Sequence, residues 1–167
     1  MEVIQFQGNN MPHIHEKIDF TVEVFIVHKN KVLLRMHDKY GIWLSIGGHI
    51  ELHENPVEAA IREVKEEVGL DIKIIGDAHG PLSGKKENRN YTYLIPPRYL
   101  GRHPVSNNHE HIAFVYFATA DTDVIAESIS AHERSNARWV SMEELEKMDL
   151  VPNIYFYATE ALKELGK

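Results

Sequence analysis

Three closely spaced glutamates on one predicted helix form the clearest chemical feature of the sequence. Glu63, Glu66 and Glu67 lie three and four residues apart, so on a helix of about 100° per residue they are neighbours. Like charges at this spacing cost a helix about 0.2–0.5 kcal/mol per pair, and the helix dipole disfavours anions near the C-terminus. Clustered carboxylate oxygens are, however, the ligands that Mg²⁺ or Mn²⁺ prefers. The spacing therefore indicates a divalent-metal site, and an ordinary solvated acidic face is the alternative.

A glycine pair upstream of this helix supplies a candidate main-chain ligand. Gly47 and Gly48 carry no side chain, so the backbone there can approach a ligand or another chain segment closely. A carbonyl group in this pair could add one more oxygen to the glutamate cluster. We therefore expect the loop that carries the two glycines to face the acidic side of the helix.

The sequence defines the ends of the helix over residues 55–68. Asn55 is a favourable N-cap, Pro56 suits the first helical position, and Glu58 completes a capping-box pattern. Gly69 is a natural stop at the C-terminal end. The apolar residues fall on one stripe, which predicts that the helix packs against the core through Val57, Ala60, Ile61, Val64 and Val68.

The other elements follow from apolar patterns and turn signals. Strands are predicted over residues 18–27, 32–36, 43–46, 71–75, 112–118 and 137–140, the first two as a hairpin. Ser141 begins a short capped helix, and a last helix covers residues 153–165. Residues 76–108 are rich in Gly, Pro, Lys and Asn and are predicted to form a long loop with one short strand at 91–95. The order predicts a mixed sheet covered by helices.

Composition limits the classes of protein to consider. A length of 167 residues suits a single domain over residues 1–167. With no cysteine, the chain has no disulfide, thiolate metal ligand or cysteine nucleophile. The net charge of −7 argues against binding to duplex nucleic acid. No signal peptide and no apolar run of the roughly 20 residues that span a bilayer are found, so we expect a cytoplasmic protein that does not bind membranes.

These residues together resemble the Nudix box. That motif reads Gly, five residues, Glu, seven residues, Arg-Glu, an aliphatic residue, any residue, Glu-Glu, any residue, Gly and an aliphatic residue. Every position is filled here, by Gly48, Glu54, Arg62-Glu63-Val64, Glu66-Glu67 and Gly69-Leu70. The resemblance extends over about residues 18–150. One departure is Ile46, where many members of the family carry proline before the two glycines.

The resemblance implies an α/β/α sandwich around a mixed sheet and an enzyme that uses Mg²⁺, with Mn²⁺ as a substitute. The implied reaction is hydrolysis of the diphosphate linkage in a small nucleoside diphosphate joined to another group. By motif position, the implied metal ligands are Glu63, Glu66, Glu67 and the Gly47 carbonyl. Glu54 and Arg62 resemble the pair that braces the loop against the helix. Related proteins are often dimers, so a homodimer is a further expectation.

The general base has two candidates that the sequence does not separate. Glu63 is a glutamate of the box, and Glu110 lies just before a predicted buried strand, where a loop could deliver it to the metal site. His109 and His111 are weaker candidates for the same role. Together they also form a His-x-His pair, as do His13 and His15, and such a pair could bind a metal incidentally.

The substrate is the least determined feature. Arg35 is the first candidate for binding substrate phosphates, followed by Arg98 and Arg102 in the long loop. Tyr91 and Tyr93 could stack on a base, whereas core packing is the simpler role for Trp43. The alternative function is a nucleotide-sensing module that has the same fold but does not turn over its ligand.

Overall fold

The computed structural model describes residues 17–37, 40–78, 91–125 and 136–167. These contain seven strands and three helices. In chain order they are β1 (Ile18–His28), β2 (Lys31–His37), β3 (Ile42–Leu44), α1 (Pro56–Val68), β4 (Ile72–Ile74), β5 (Tyr99–Ser106), β6 (His109–Ala120), β7 (Ala137–Ser141), α2 (Met142–Leu145) and α3 (Pro152–Leu165).

All seven strands belong to one mixed sheet. Its order is β3-β2-β1-β6-β4, with β5 paired to β6 and β7 paired to β2. The long central pair of β1 and β6 is parallel, and the other strand pairs are antiparallel. The prediction of a mixed sheet is therefore confirmed.

Alternating side chains of β1 divide the core into two clusters on opposite faces of the sheet. Val22, Val24 and Ile26 pack in the cluster that contains the apolar residues of α1. Phe25 and Val27 point the other way and pack in the cluster that contains α3. Since successive residues of a strand face opposite sides, the sheet has a helix on each face. This arrangement confirms the predicted α/β/α sandwich.

The ends of α1 follow the sequence prediction. The Asn55 side chain accepts hydrogen bonds from the amides of Val57 and Glu58, at 2.9 and 3.2 Å. The Glu58 carboxylate accepts one from the Asn55 amide at 2.9 Å, which completes the capping box. Gly69 ends the helix with φ at 69°, in the left-handed region that favours glycine. A cap of this kind contributes about 1 kcal/mol.

The buried face of α1 differs from the predicted stripe at one side. Ile61 is 45% exposed, so its predicted place in the core is wrong, and Ala59 and Glu67 are buried instead. On a helix with about 100° per residue, Glu67 falls next to Ala60 and on the side away from Ile61. The helix is therefore rotated about its axis relative to the predicted orientation, so that Glu67, at the edge of the acidic side, faces the sheet. The hydrophobicity pattern alone does not predict this rotation.

The region predicted as a long loop contains a regular strand. β5 (Tyr99–Ser106) pairs with β6 along most of its length, whereas the predicted strand at 91–95 is absent, since residues 91–97 are in no strand. β5 includes Gly101 and Pro104 and is largely exposed, so it has no apolar alternation to detect. Residues 79–90 of the predicted loop lie outside the described part of the chain.

The remaining boundaries differ from the predictions by a few residues, as is usual at the ends of elements. β3 ends at Leu44, and Ile46 instead forms an isolated bridge with Val24. β6 is longer than predicted at both ends.

Among the described residues, no helix combines the length and apolar character that crossing a bilayer requires.

Candidate active site

The segment that carries the two glycines is held against the sheet by main-chain hydrogen bonds. β3 pairs with β2, and the segment that follows β3 forms hydrogen bonds with β1. The Val24 amide donates to the Ile46 carbonyl at 2.7 Å, and the Val22 amide donates to the Gly48 carbonyl at 2.8 Å. Because carbonyl directions alternate along an extended chain, the Gly47 carbonyl between them points away from β1.

Both glycines are required by close approach of neighbouring groups. A Cβ on Gly48 would lie 2.6 Å from the carboxyl carbon of Glu63. A Cβ on Gly47 would lie 2.0 Å from the Val22 carbonyl oxygen, and φ at Gly47 is 149°, where other residues are strained. The loop therefore touches α1 on one side and β1 on the other because it has no side chains at these two positions.

Glu67 is the buried member of the acidic cluster. Its Oε1 lies 2.8 Å from Nη2 of Arg35 on β2, and both side chains are about one-tenth exposed. Its Oε2 accepts a hydrogen bond from the Gly47 amide at 3.2 Å. The predicted substrate-binding Arg35 is thus an ion-pair partner of a predicted metal ligand. The Glu67 side chain is thus held by two contacts, one with Arg35 of the sheet and one with the Gly47 amide of the loop.

Arg62 connects the loop with the other two carboxylates of the cluster. Its Nη1 donates to Glu63 at 2.8 Å and to Glu66 at 3.0 Å. Its Nε and Nη2 bind Glu54 at 3.0 and 2.6 Å, and Nη2 also donates to the His49 carbonyl at 2.9 Å. The structure thus contains the Glu54–Arg62 pair that the resemblance implies. One guanidinium holds the helix, the carboxylates and the glycine loop together.

The environment shifts the pKa values of these groups in different directions. Hydrogen bonding from Arg62 is the main cause that lowers the pKa of Glu54. Burial is the main cause that raises the pKa of Glu63, against the opposing hydrogen bond from Arg62. Hydrogen bonding to Glu54 in turn raises the pKa of Arg62. The ion pair between Glu54 and Arg62 therefore favours the charged form of both groups, whereas burial of Glu63 disfavours its charge, which a further cation would offset.

The donor set fits a hard divalent cation. One atom, Nη1 of Arg62, already contacts both Glu63 and Glu66, so these two carboxylates converge on a single cationic centre. Glu67 approaches from the same helix and is linked to Gly47. Several carboxylate oxygens with a nearby carbonyl are the ligands that Mg²⁺ and Mn²⁺ favour.

The structure does not bring the second base candidate into this cluster. Glu110 is the second residue of β6, opposite Ile18 of β1. Its Oε2 accepts a hydrogen bond from Nε of Arg102 at 2.7 Å. Among the described residues, Arg102 is the ion-pair partner of Glu110, and no contact is found between Glu110 and the glutamates of α1. Arg102, predicted to bind substrate, is thus also engaged in an ion pair.

The third predicted substrate-binding arginine lies elsewhere on the surface. Arg98 forms an ion pair with Glu164 near the end of α3. It also lines an open cleft formed by residues 73–77 and 96–98, which includes none of the helix glutamates. Of the three predicted arginines, only Arg35 directly contacts the acidic cluster.

The aromatic candidates have ordinary packing partners. Trp43 is half-buried against the α3-side core, in agreement with the simpler expectation for it, and the Arg138 guanidinium lies 5.7 Å from its ring centre. Tyr91 and Tyr93 contact each other edge to face at 5.0 Å. They remain candidates for stacking on a base.

Glu23 is an acidic residue that the sequence interpretation missed: its backbone lies next to Gly47, and its side chain is on the face of the sheet opposite to α1. It lies on β1, and its Cα would be 3.3 Å from a Cβ placed on Gly47. Its Oε2 is buried and has no hydrogen-bond partner in the described part of the chain. Burial raises the pKa of its carboxyl. The available signal was a glutamate between Val22 and Val24, within a strand of otherwise apolar and β-branched residues.

Comparisons with known proteins agree with this geometry. The family model of the NUDIX domain matches residues 19–160. A crystal structure of a NUDIX-family hydrolase from Clostridium perfringens is 41% identical with a TM-score of 0.78, and the match covers 88% of this chain and 97% of that one. The uncharacterized Nudix hydrolase YvcI of Bacillus subtilis is 27% identical over 123 residues, which cover 74% of this chain and 66% of the relative, slightly under two thirds of its length.

A more distant structure shows the same fold. A MutT NUDIX hydrolase from Burkholderia pseudomallei is 19% identical with a TM-score of 0.60, over 90% of this chain and 99% of that one. The family match covers most of the chain and includes the whole glycine loop and α1. The chain therefore belongs to the NUDIX family, and its domain is that of a Nudix hydrolase.

Proposed function

We propose that the protein hydrolyses the diphosphate linkage of a nucleoside diphosphate joined to another group, with Mg²⁺ held by Glu63, Glu66, Glu67 and the Gly47 carbonyl. Family membership supports hydrolysis of nucleoside diphosphate derivatives in general. The metal requirement and the ligand set are part of the proposal, as are a cytoplasmic location and a homodimer.

The arrangement of the acidic cluster around the glycine loop carries this proposal. Glu63 lies against Gly48 so closely that a Cβ there would overlap its carboxyl group. Glu67 accepts a hydrogen bond from the Gly47 amide and is paired with Arg35. A solvated acidic face would leave such carboxylates extended into water, whereas these are fixed at both the helix and the loop.

The chain's own residues position and activate the reactants. When bound, Mg²⁺ would neutralise the phosphate oxygens and lower the pKa of a nearby water. A carboxylate of the protein accepts a proton from that water as the oxygen attacks phosphorus. The bridging P–O bond breaks, and its electron pair leaves with the departing phosphate. Arg62 holds Glu63 and Glu66 in place, so catalysis is mainly positioning and electrostatics.

Glu63 and Glu110 remain the two candidates for the base. Glu63 is already part of the cluster, whereas Glu110 would have to leave its ion pair with Arg102 and move to the metal site before it could act as the base. We favour Glu63, because its position requires no rearrangement. A variant with Glu110→Gln distinguishes the two, since only a base role for Glu110 predicts a large loss of kcat with unchanged metal affinity.

The test is release of phosphate or nucleotide from a panel of nucleoside triphosphates, sugar-linked nucleoside diphosphates and dinucleoside polyphosphates, with Mg²⁺ or with EDTA. Glu66→Gln is the best inactivating variant because Glu66 is 56% exposed, so its loss should not disturb folding. Glu67→Gln removes the negative charge that pairs with the buried Arg35 and needs a thermal melt beside it. Glu146→Gln, at an exposed position after α2, is the matched control.

Turnover of one substrate class by wild type and Glu146→Gln, and its loss with EDTA and in Glu66→Gln, would support the proposal and identify the substrate. Full activity of Glu66→Gln or full activity in EDTA would contradict the metal site. Nucleotide binding without turnover under every condition would overturn the enzyme proposal in favour of a sensing module.

A further inference from the structure

Four side chains of types that can bind a metal ion, three histidines and one aspartate, meet on one face of the sheet, away from the glutamates of α1. Asp19 of β1 lies directly opposite His111 of β6, and His109 is two residues earlier on β6, so it shares the face of His111. His49, in the glycine loop, bridges Thr21 of β1. The strand register therefore gathers residues that are up to 92 positions apart in sequence.

Three distances among these side chains are close to those between the ligands of a tetrahedral metal ion. The Nε2 atoms of His109 and His111 lie 3.2 Å apart. The Asp19 Oδ2 atom lies 3.2 Å from His109 Nε2 and 3.5 Å from His49 Nε2. Zinc–nitrogen bonds of about 2.0–2.1 Å in a tetrahedron imply ligand separations of about 3.3 Å. One ligand atom from each of the four residues lies within 4.8 Å of all the others.

The ligand types distinguish this cluster from the acidic cluster of α1. Three imidazoles and one carboxylate suit Zn²⁺ or a similar first-row transition metal, whereas carboxylate and carbonyl oxygens suit Mg²⁺. The two clusters also lie on different sides of the loop. Gly48 faces Glu63 of α1, and His49, the next residue, faces the opposite way along the extended chain.

We propose that Asp19, His49, His109 and His111 form a second metal site, which binds Zn²⁺ or a similar transition metal. His109 and His111 are partly buried, while Asp19 and His49 are exposed, so an ion can enter from solvent. The Asp19 carboxylate offsets part of the charge of the ion. The inference goes beyond the proposed hydrolysis and does not depend on it.

The position of the site gives it a mechanical consequence. The His49 carbonyl accepts a hydrogen bond from Arg62 at 2.9 Å, while its ring is a ligand of the proposed site. A bound ion would tie the glycine loop to β1 and β6 through the ring of His49. The same residue would thus be anchored to α1 through its carbonyl and to the sheet through its side chain.

The test is metal binding by the full-length chain after removal of metals with a chelator. Zn²⁺ is titrated by calorimetry in excess Mg²⁺, and Co²⁺ serves as a spectroscopic probe, because tetrahedral Co²⁺ absorbs visible light strongly. The variants are His109→Gln and the isosteric Asp19→Asn. The double variant His13→Gln/His15→Gln is the matched control, since it removes the other His-x-His pair, and Glu66→Gln tests binding at α1.

We expect one Zn²⁺ per chain in wild type and in both controls, a tetrahedral Co²⁺ spectrum and a higher Tm with Zn²⁺. Either site variant should weaken Zn²⁺ binding by at least about 10-fold, the lower bound for loss of a group that supports a metal site. Absence of Zn²⁺ binding in wild type would overturn the proposal. Binding that survives in both site variants, or that is lost in Glu66→Gln or in the His13/His15 control, would overturn it as well.

Discussion

Adding one methyl group at each glycine of the loop should separate catalysis from folding. In Gly48→Ala the new Cβ would lie 2.6 Å from the carboxyl carbon of Glu63. That carboxyl must retreat by about 0.8 Å to reach the 3.4 Å at which ordinary contact begins. The carboxyl is the far end of a flexible side chain, so the fold should adjust, while a ligand misplaced by about 1 Å can cost on the order of 100-fold in rate.

Gly47→Ala should have the opposite effect. Its Cβ would lie 2.0 Å from the Val22 carbonyl oxygen, a main-chain atom, and φ at Gly47 is 149°. Overpacking costs about 1–3 kcal/mol, and the strained backbone adds about 1–3 kcal/mol. For a domain of this size, each kcal/mol corresponds to about 2–4 °C in Tm. We therefore expect Gly47→Ala to lower Tm by roughly 5 °C or more.

The assay compares thermal melts, Mn²⁺ affinity by calorimetry and kcat on the substrate found in the panel. Gly101→Ala is the matched control, because the nearest atoms to its Cβ would be 3.9 Å away. We expect Gly48→Ala to keep the wild-type Tm within about 2 °C, but to lose metal affinity and about 100-fold in kcat. Normal metal affinity and kcat in Gly48→Ala, or equal Tm values for Gly47→Ala and Gly101→Ala, would refute the reasoning.

Four further predictions use single substitutions. Glu66→Gln should lower kcat by at least about 10- to 100-fold and Tm only slightly, because an exposed i,i+4 ion pair contributes about 0.3–0.5 kcal/mol. Glu54→Gln should destabilise the protein at pH 7, and the difference from wild type should shrink in melts below about pH 4.5, since the pKa lowered by Arg62 makes Glu54 stabilising only when ionised. Glu23→Gln should raise Tm above pH 4.5 and have no effect below it, because burial raises the pKa of Glu23 and its ionised form is destabilising. Asn55→Ala should lower stability by about 1 kcal/mol in urea melts, through loss of the N-cap.

The contrary outcomes are specific to each substitution. A folded and fully active Glu66→Gln would remove Glu66 from the ligand set. A pH-independent difference between wild type and Glu54→Gln would mean that ionisation of Glu54, and hence its ion pair with Arg62, does not contribute to the stability of the protein. A lower Tm for Glu23→Gln at neutral pH would show that the ionised carboxylate has a stabilising partner. An unchanged Asn55→Ala would show that water replaces the cap.

Local structure around the acidic helix was predictable because its determinants are local. The N-cap, the capping box and the terminal glycine act within a few residues of one another, and all three are present as predicted. The mixed sheet covered by helices was also predictable, since it follows from the order of the strand and helix patterns, and the α/β/α sandwich followed from the resemblance to the family. The assignment to the family followed from the spacing of the same residues.

Elements that depend on a distant partner were predicted less well. β5 (Tyr99–Ser106) has little apolar character of its own and exists because β6 supplies its hydrogen bonds. Ile61 was assigned to the core because a hydrophobicity pattern contains no information on ion pairs. In the structure, the Arg35–Glu67 ion pair accompanies a rotation of α1 that buries Glu67 and exposes Ile61. Such contacts join residues far apart in the chain, so no local pattern encodes them.

The sequence by itself determined the acidic helix, the two glycines before it and the family to which they belong, because type and spacing are sufficient for these. Only the tertiary structure decided which arginine meets which glutamate, and it pairs Arg35 with Glu67 and Arg102 with Glu110. It also decided that Asp19, His49, His109 and His111 meet at one place. The physical reason is strand register, which sets residues of distant segments side by side and is fixed only when the whole sheet packs.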